Sequence, residues 1–152
     1  MKVRILFVAL FSFLLIFTGC FDTDDERDIQ FSKVVIYEDG NNDGYLNRGE
    51  EAKIKVFLRN EGAYTAKDVQ ATLSPRFASE YVDVVYEEAY FGNLGSGEED
   101  FGQNIEQSSF YWSYKIQVSP TCPTGYPLEF RLNVYDADEN EWTLYFTMQV
   151  EP

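Results

Sequence analysis

Apolar and polar residues alternate along most of the chain after residue 30. In the segment 52–60, Ile54, Val56 and Leu58 share one side and Lys53, Lys55 and Arg59 share the other. Further segments with the same two-residue period are 68–73, 109–118, 128–135 and 141–150. This period is typical of strands that bury one face. The side chains expected in the core are Ile54, Val56, Leu58, Phe110, Trp112, Tyr114, Ile116, Phe130, Leu132, Leu144 and Phe146.

The breaks between these segments contain residues that form turns. Gly, Pro, Asn and Asp are concentrated at 60–62, 92–97, 120–127 and 136–140. Two less regular apolar segments, 33–37 and 80–86, bring the count to about seven strands, and no stretch keeps a helical period. Seven short strands in about 130 residues predict an all-β, immunoglobulin-like antiparallel β-sandwich.

The first 19 residues have the pattern of a secretory signal. Lys2 and Arg4 precede an uncharged apolar run at 5–17. A membrane-spanning helix needs about 20 apolar residues, so this run of 17 − 5 + 1 = 13 favours a cleaved signal over an uncleaved membrane anchor.

Cys20 follows this apolar run directly. The segment Phe17-Thr18-Gly19-Cys20 resembles the lipobox of bacterial lipoprotein signals, although Phe17 stands where Leu is usual. The resemblance implies that Cys20 is lipidated and becomes the first mature residue; the alternative is an ordinary apolar cysteine. We therefore expect a signal peptide at 1–19, a lipid-anchored acidic tether at 20–29 and one domain at 30–152. The expected location is extracytoplasmic, on a cell membrane or outer membrane.

The charge and residue content exclude several function classes. Without the signal, 12 − 2 = 10 basic and 26 acidic residues remain, a net charge of −16, which argues against nucleic acid as a partner. The chain has no histidine, which excludes histidine-based acid–base chemistry. The acidic groups 87–88 and 98–100 pair carboxylates as a glycosidase does, but adjacent acids in turn sequences indicate solvated charges. We predict no enzyme activity, and we expect Cys122 to be a packed apolar residue.

The segment 39–50 follows the twelve-residue pattern of a Ca²⁺-binding loop. Oxygen-bearing side chains fall at positions 1, 3, 5 and 9, a glycine (Gly44) falls at position 6 and a glutamate falls at position 12. The predicted ligands are Asp39, Asn41, Asp43, the backbone carbonyl of Tyr45, Asn47 and Glu50. Strands flank the loop, so it is not half of an EF-hand pair. The alternative is a hairpin loop rich in Asn, Asp and Gly that holds no metal.

The loop and the strand after it resemble bacterial adhesion-related immunoglobulin-like modules of the CARDB type. The shared features are the acidic loop, Gly49-Glu50, a strand, and Asn60-Glu61-Gly62 before a second strand. Cys122-Pro123-Thr124-Gly125 before a late strand is also similar. The resemblance covers roughly residues 30–150 and implies a sandwich with a spacer or binding role and no activity. Such modules usually occur in multidomain chains, whereas here one follows a lipoprotein signal.

Four aromatic residues fall on outward positions of the predicted strands. They are Phe57, Tyr111, Tyr135 and Tyr145. If they share one sheet face, they form a binding surface for sugar rings or for a protein. The leading interpretation is therefore a non-enzymatic spacer or protein-interaction module stiffened by Ca²⁺, with a carbohydrate-binding module as the alternative. A second acidic cluster, Asp136, Asp138 and Asn140, is expected to be a solvated hairpin tip.

Overall fold

The computed structural model of the chain describes residues 27–151. The predicted signal peptide, Cys20 and residues 20–26 of the tether therefore lie outside the described residues. The strands are β1 (Ile29–Asp39), β2 (Glu51–Asn60), β3 (Ala66–Pro75), β4 (Val82–Tyr86), β5 (Glu88–Leu94), β6 (Glu99–Phe101), β7 (Gln103–Asn104), β8 (Tyr114–Val118), β9 (Pro127–Tyr135) and β10 (Glu141–Gln149). Within residues 27–151, no helix is long and apolar enough to cross a membrane.

The strands form two antiparallel sheets. The first sheet has the order β1-β2-β8-β4, and β6 pairs with the C-terminal half of β2. The second sheet has the order β10-β9-β3-β5-β7. The chain crosses repeatedly between the sheets, as in immunoglobulin-like sandwiches. The all-β sandwich prediction is confirmed.

The core lies between the two sheets and consists of the inward-facing residues of each strand. Ile54, Val56 and Leu58 are fully buried on β2, and Phe130 and Leu132 are fully buried on β9. The burial alternates along β2 and β9 as a two-residue period requires. The regular alternation in the sequence therefore corresponds to the inner faces of the sandwich.

The predicted strand count and one predicted core residue are wrong. The described residues contain ten strands rather than seven, because β5, β6 and β7 occupy a Gly-rich stretch with weak alternation. Strand β8 begins at Tyr114, so the predicted strand 109–118 started too early. Phe110 precedes β8 in a turn and is 67% exposed instead of buried.

Buried polar side chains hold the connections between strands. Asn60 donates its side-chain amide to the carbonyls of Tyr64 (2.7 Å) and Leu94 (2.9 Å). The side-chain amide of Asn104 donates to the carbonyl of Ser113, and the hydroxyl of Ser113 donates to the carbonyl of Gly102. The side-chain amides of Asn60 and Asn104 and the hydroxyl of Ser113 thus have partners, which keeps the cost of burying them low.

The described segment begins and ends at opposite ends of the sandwich. Arg27, just before β1, pairs with Asp138 at 2.8 Å in the β9–β10 hairpin. At the other end, the backbone amide of Glu151 donates to the carbonyl of Leu46 (2.8 Å) in the β1–β2 connection. Each end is therefore tied to a loop.

Candidate functional site: the β1–β2 loop and the outer faces

The loop 39–50 connects β1 to β2 and packs on the end of the core. Leu46 is 1% exposed and anchors the middle of the loop. Asn47 forms a parallel bridge with Glu151. Gly44 has a φ of 82°, in the left-handed region that favours glycine, and a Cβ there would meet no atom within 4 Å. The loop therefore has one defined shape, and position 44 favours glycine for its backbone angle rather than for space.

Asp39 is the buried acid of the loop. Its exposure is 6%, and its Oδ2 accepts a hydrogen bond from the backbone amide of Gly44 at 2.8 Å. Its other oxygen, Oδ1, is buried and has no hydrogen-bond partner. A buried carboxylate oxygen without a partner is costly, because it has lost its water and gained nothing in exchange. Asp39 Oδ1 is therefore an acceptor available to a cation.

The other two acids of the loop accept hydrogen bonds from it. The Glu50 carboxylate accepts hydrogen bonds from the backbone amides of Asn41 (3.0 Å) and Asn47 (3.1 Å). Asp43 accepts from the backbone amide of Tyr45 at 2.8 Å and from the side-chain amide of Asn41 at 2.9 Å. These bonds, led by the one from Tyr45, lower the pKa of Asp43. A lowered pKa keeps the Asp43 carboxylate ionised at neutral pH.

The loop brings the predicted ligands together only in part. In the part of the chain that the structure describes, no group of three or more His, Cys, Asp or Glu side chains has the spacing of a metal site. The Asp39, Asp43 and Glu50 carboxylates are held apart on separate loop amides. The oxygen-rich donor set and the unpartnered Asp39 Oδ1 fit a hard cation such as Ca²⁺. Full coordination would require Asp43 and Glu50 to converge on Asp39.

The four outward aromatic residues do not share one sheet face. Phe57 lies on the outer face of the first sheet, on β2. Tyr135 and Tyr145 lie on β9 and β10 of the second sheet. Tyr111 lies in the connection before β8 and is 66% exposed. The single binding surface on which the carbohydrate alternative depended is therefore not formed by these four residues.

The outer face of the first sheet carries a layer of lysines over aromatic rings. The Nζ of Lys33 lies 4.4 Å from the centroid of Phe57. The Nζ of Lys55 lies 4.5 Å from the centroid of Phe101 and 4.8 Å from that of Tyr37. These cation–π contacts overlay Phe57 and Phe101, whereas Tyr37 remains 44% exposed. Tyr37 and Phe101 were missed because the alternation around them is irregular, whereas Lys53, Lys55 and Phe57 alternate clearly.

Carboxylates of the acidic group 98–100, one of the two that resembled paired catalytic carboxylates, have structural partners. Glu99 binds Lys33 at 2.6 Å and also the hydroxyl of Ser32, and these bonds, first that of Lys33, lower the pKa of Glu99. Glu98 accepts from the amide of Gly95 at 2.7 Å. Glu106 accepts from the amide of Glu87 at 2.6 Å. Glu98 therefore stabilises a turn, Glu99 pairs with a lysine of β1, and Glu106 holds the backbone at Glu87.

The second acidic cluster differs from its prediction as a solvated hairpin tip. Asp136 is 5% exposed, and its Oδ1 accepts from the backbone amides of Asp138 and Asn140, both at 3.0 Å. Arg27 approaches the same carboxylate at 3.6 Å. Ala137, Asp138 and Glu139 at the tip are exposed. The hairpin turns back over Asp136, which closes the loop and buries its carboxylate.

Cys122 lies in the connection between β8 and β9. It is 1% exposed, and burial raises the pKa of its thiol. Because the thiolate is the nucleophilic form, this position is unsuited to covalent chemistry. Cys122 packs with the core, as a small apolar residue does.

Comparisons with known proteins give distant structural similarities alone. No family model and no curated protein matches the chain. A conjugative transposon lipoprotein from Bacteroides eggerthii aligns at 10% identity over 79% of this chain and 93% of its own, with a TM-score of 0.36. The archaellum periplasmic stator complex of FlaF and FlaG from Sulfolobus acidocaldarius aligns at 12% identity over 77% and 89%, with a TM-score of 0.30. A β-glucosidase of intestinal bacteria aligns at 15% identity over 82% of this chain but 16% of its own, with a TM-score of 0.32.

Proposed function

We propose that the protein is a lipid-anchored module of the cell envelope that acts as a non-enzymatic spacer or protein-interaction domain. The observation that carries the proposal is the position of the two ends of the described segment. Arg27 is held at one end of the sandwich and Glu151 at the other. The length of the sandwich thus separates the proposed anchor from anything that contacts the end formed by the loop 39–50, which suits a spacer.

The predicted anchor sets how far the domain stands from a membrane. Between Cys20 and Arg27 the chain spans at most about 25 Å when fully extended. Strand β1 then runs for 11 residues, about 35 Å, from the Arg27 end to the loop 39–50. In this proposal the β9–β10 hairpin faces the membrane and the loop 39–50 faces away from it.

Calcium is proposed as a structural ion of the loop 39–50. Asp39, Asn41, Asp43, the carbonyl of Tyr45, Asn47 and Glu50 would hold it. Bound Ca²⁺ would offset two of the three negative charges of the carboxylates, which otherwise repel one another. Asp39 contributes most to this proposal, since its buried Oδ1 lacks a partner in the described residues. The loop ties β1 to β2 and contacts the last described strand end, so ordering it would stiffen that end of the sandwich.

The membrane anchor is tested by the Cys20→Ser variant of the full chain. In cell fractionation we expect the wild type in the membrane pellet, extractable only by detergent, and the variant either unprocessed or released. Cys122→Ser is the matched control, because Cys122 is the other cysteine of the chain and should leave fractionation unchanged. Equal membrane retention of the Cys20→Ser variant as a protein of processed size would contradict the proposal.

A carbohydrate-binding role is the weaker candidate. It required outward aromatic rings that share one face, and the four predicted residues lie on two different sheets and one connection. On the first sheet, the rings of Phe57 and Phe101 are overlaid by lysines. A protein partner therefore fits the surface better than a sugar ring does.

A further inference from the structure

Most edge strands of this sandwich carry features that discourage pairing with another chain. Strand β1 has two register irregularities and presents Lys33 outward. Strand β4 has five residues, one irregularity and the exposed Asp83. Strand β7 has two residues. Bulges, charges and short length are the usual means by which proteins protect free edges.

Strand β10 is an edge strand without these features. It pairs with β9 over nine consecutive residues, Glu141 to Gln149, with no register irregularity. It contains no proline and no glycine, and its one charged residue is Glu141 at its beginning. The remaining residues, Trp-Thr-Leu-Tyr-Phe-Thr-Met-Gln, have high strand propensity. A long, regular, uncharged edge is a template for a further strand.

The apolar surface beside β10 is also incompletely covered. Trp142 and Leu144 pack against the core yet stay only partly buried. On the same side of the sandwich, Val34 and Ile36 of β1 are likewise partly buried. A groove of about 300 Å³ opens between Ile36 and Met148. A strand added to β10 would cover this apolar side.

We propose that β10 pairs antiparallel with β10 of a second copy of this chain, joining the second sheets of the two molecules. Inward residues must lie opposite inward residues, because the two sheets become continuous. The two-fold arrangement that pairs all nine residues places Tyr145 opposite itself. It also places Glu141 opposite Gln149, so the single carboxylate of each strand faces an amide.

The charges at the strand ends favour this register. They are also compatible with a second copy of β10 as the added strand. A two-residue shift in one direction brings Glu141 opposite Glu151, where like charges repel. A shift in the other direction brings Gln149 opposite Glu139 and creates no like-charge pair. Both shifts also lose pairs at the strand ends. The strand is therefore complementary to itself in one register. Residues 27–151 contain 22 acidic and 10 basic residues, so two copies repel at long range and added salt should strengthen the pair.

An antiparallel pair points the starts of the two chains in opposite directions. Copies anchored to two facing membranes meet in this orientation directly. Copies anchored in one membrane pair only if their strands lie along its surface, which the predicted tether allows. The pairing itself needs neither the lipid nor calcium, so it can fail or succeed independently of the proposed function.

The test is cysteine cross-linking of the full chain in membranes, with the oxidised products separated on non-reducing gels. Residues directly opposite each other in neighbouring strands have Cβ atoms about 4.5–5.5 Å apart, close to disulfide range. Tyr145→Cys should form a disulfide-linked dimer. Thr143→Cys alone should not, but Thr143→Cys expressed with Thr147→Cys should form the mixed dimer. The wild type measures the background from the chain's own cysteines, Cys20 and Cys122, of which Cys122 is buried, and this background is subtracted.

Controls separate specific pairing from collision. Asn133 is exposed on β9, beside Thr143 but one strand away from the sheet edge. The Asn133→Cys variant should therefore cross-link at least tenfold less than Tyr145→Cys. Adding Thr143→Asp and Thr147→Asp to Tyr145→Cys should lower its cross-linking by a similar factor without changing the melting temperature by more than a few degrees. Mixing two differently tagged populations of vesicles distinguishes pairing between membranes from pairing within one.

Two results would overturn the proposal. One is equal cross-linking at Tyr145 and Asn133. The other is a Tyr145 cross-link that joins the chain to a different protein and never to itself. If Tyr145→Cys does not fold, as judged by its melting curve, the mixed dimer of Thr143→Cys and Thr147→Cys is used instead. Cross-linking of this mixed pair no stronger than that of Asn133→Cys would then overturn the proposal.

Discussion

Single residues decide how the loop 39–50 is held. Asp39 is the last residue of β1 and the first residue of the loop. Only one of its carboxylate oxygens, Oδ2, accepts a hydrogen bond from the backbone amide of Gly44. The other oxygen is buried without a partner, unlike the carboxylates of Asp43 and Glu50. A carboxylate oxygen kept in such a place is expected where a cation completes it.

We expect Ca²⁺ to raise the melting temperature of the wild-type chain. Three acids and two amides suggest a dissociation constant of about 10⁻⁴ to 10⁻³ M, typical of extracellular modules. Free Ca²⁺ at ten times this value adds about 1.4 kcal/mol to the free energy of unfolding, which corresponds to roughly 3–8 °C. The measurement is a thermal melt with millimolar Ca²⁺ and with chelator.

Substitutions of single carboxylates test whether the calcium-dependent rise in melting temperature arises at the loop 39–50. Asp39→Asn and Glu50→Gln should each abolish the calcium shift, whereas Glu61→Gln should keep it, because Glu61 is an exposed carboxylate that follows the far end of β2. Mg²⁺ should replace Ca²⁺ poorly, since its octahedral shell prefers water to a long protein loop. A wild-type melting curve that is identical in chelator and in millimolar Ca²⁺ would assign the loop to the metal-free alternative.

At the scale of elements, β9 is the centre of the second sheet. It pairs with β10 on one side and with β3 on the other, and Leu132 is opposite both Leu144 and Leu73. All three leucines point toward the first sheet. Strand β9 therefore contributes both ladder hydrogen bonds and core contacts along its whole length.

We expect Leu132→Ala to lower the free energy of unfolding by about 2–5 kcal/mol, because Leu132 is fully buried and its removal leaves a cavity. Asn133→Ala is the matched control on the same strand; its side chain is exposed, so its effect should stay within about 0.5 kcal/mol. Urea denaturation of both variants measures the difference. A loss below 0.5 kcal/mol for Leu132→Ala would contradict the described core.

At the scale of the whole molecule, negative charge exceeds positive charge by 22 − 10 = 12 over residues 27–151. Exposed ion pairs such as Lys53–Glu38 and Lys115–Glu51 offset part of this excess locally. Exposed pairs contribute little individually, so the net repulsion among the remaining acids should dominate the salt response.

We therefore expect NaCl to stabilise the protein. Raising NaCl from about 10 mM to 300 mM shortens the Debye length from about 30 Å to under 10 Å and screens the repulsion. The melting temperature in chelator should rise by a few degrees. Ca²⁺ added at matched ionic strength should give a further shift, which separates specific binding from screening. A melting temperature that falls as NaCl increases would show that the surface ion pairs outweigh the net charge.

The sequence alone predicted the β-class, the inner faces of most strands and the position of the candidate loop. These features are local: a two-residue period says which side chains are buried, and Gly44 marks a left-handed turn wherever the loop lies. The same local information failed at Phe110, where alternation continued into a turn, and across β5 to β7, whose pairing depends on neighbouring strands rather than on their own composition.

The tertiary structure alone decided which strands share a sheet. Pairing joins residues far apart in the chain, so no local pattern could place Phe57 on one sheet and Tyr135 and Tyr145 on the other. The burial of Asp39 and Asp136, and the free edge of β10, likewise depend on contacts with distant segments. Alternation along a strand determines which face is inward; only long-range packing determines what lies beside it and which polar atoms are left without a partner.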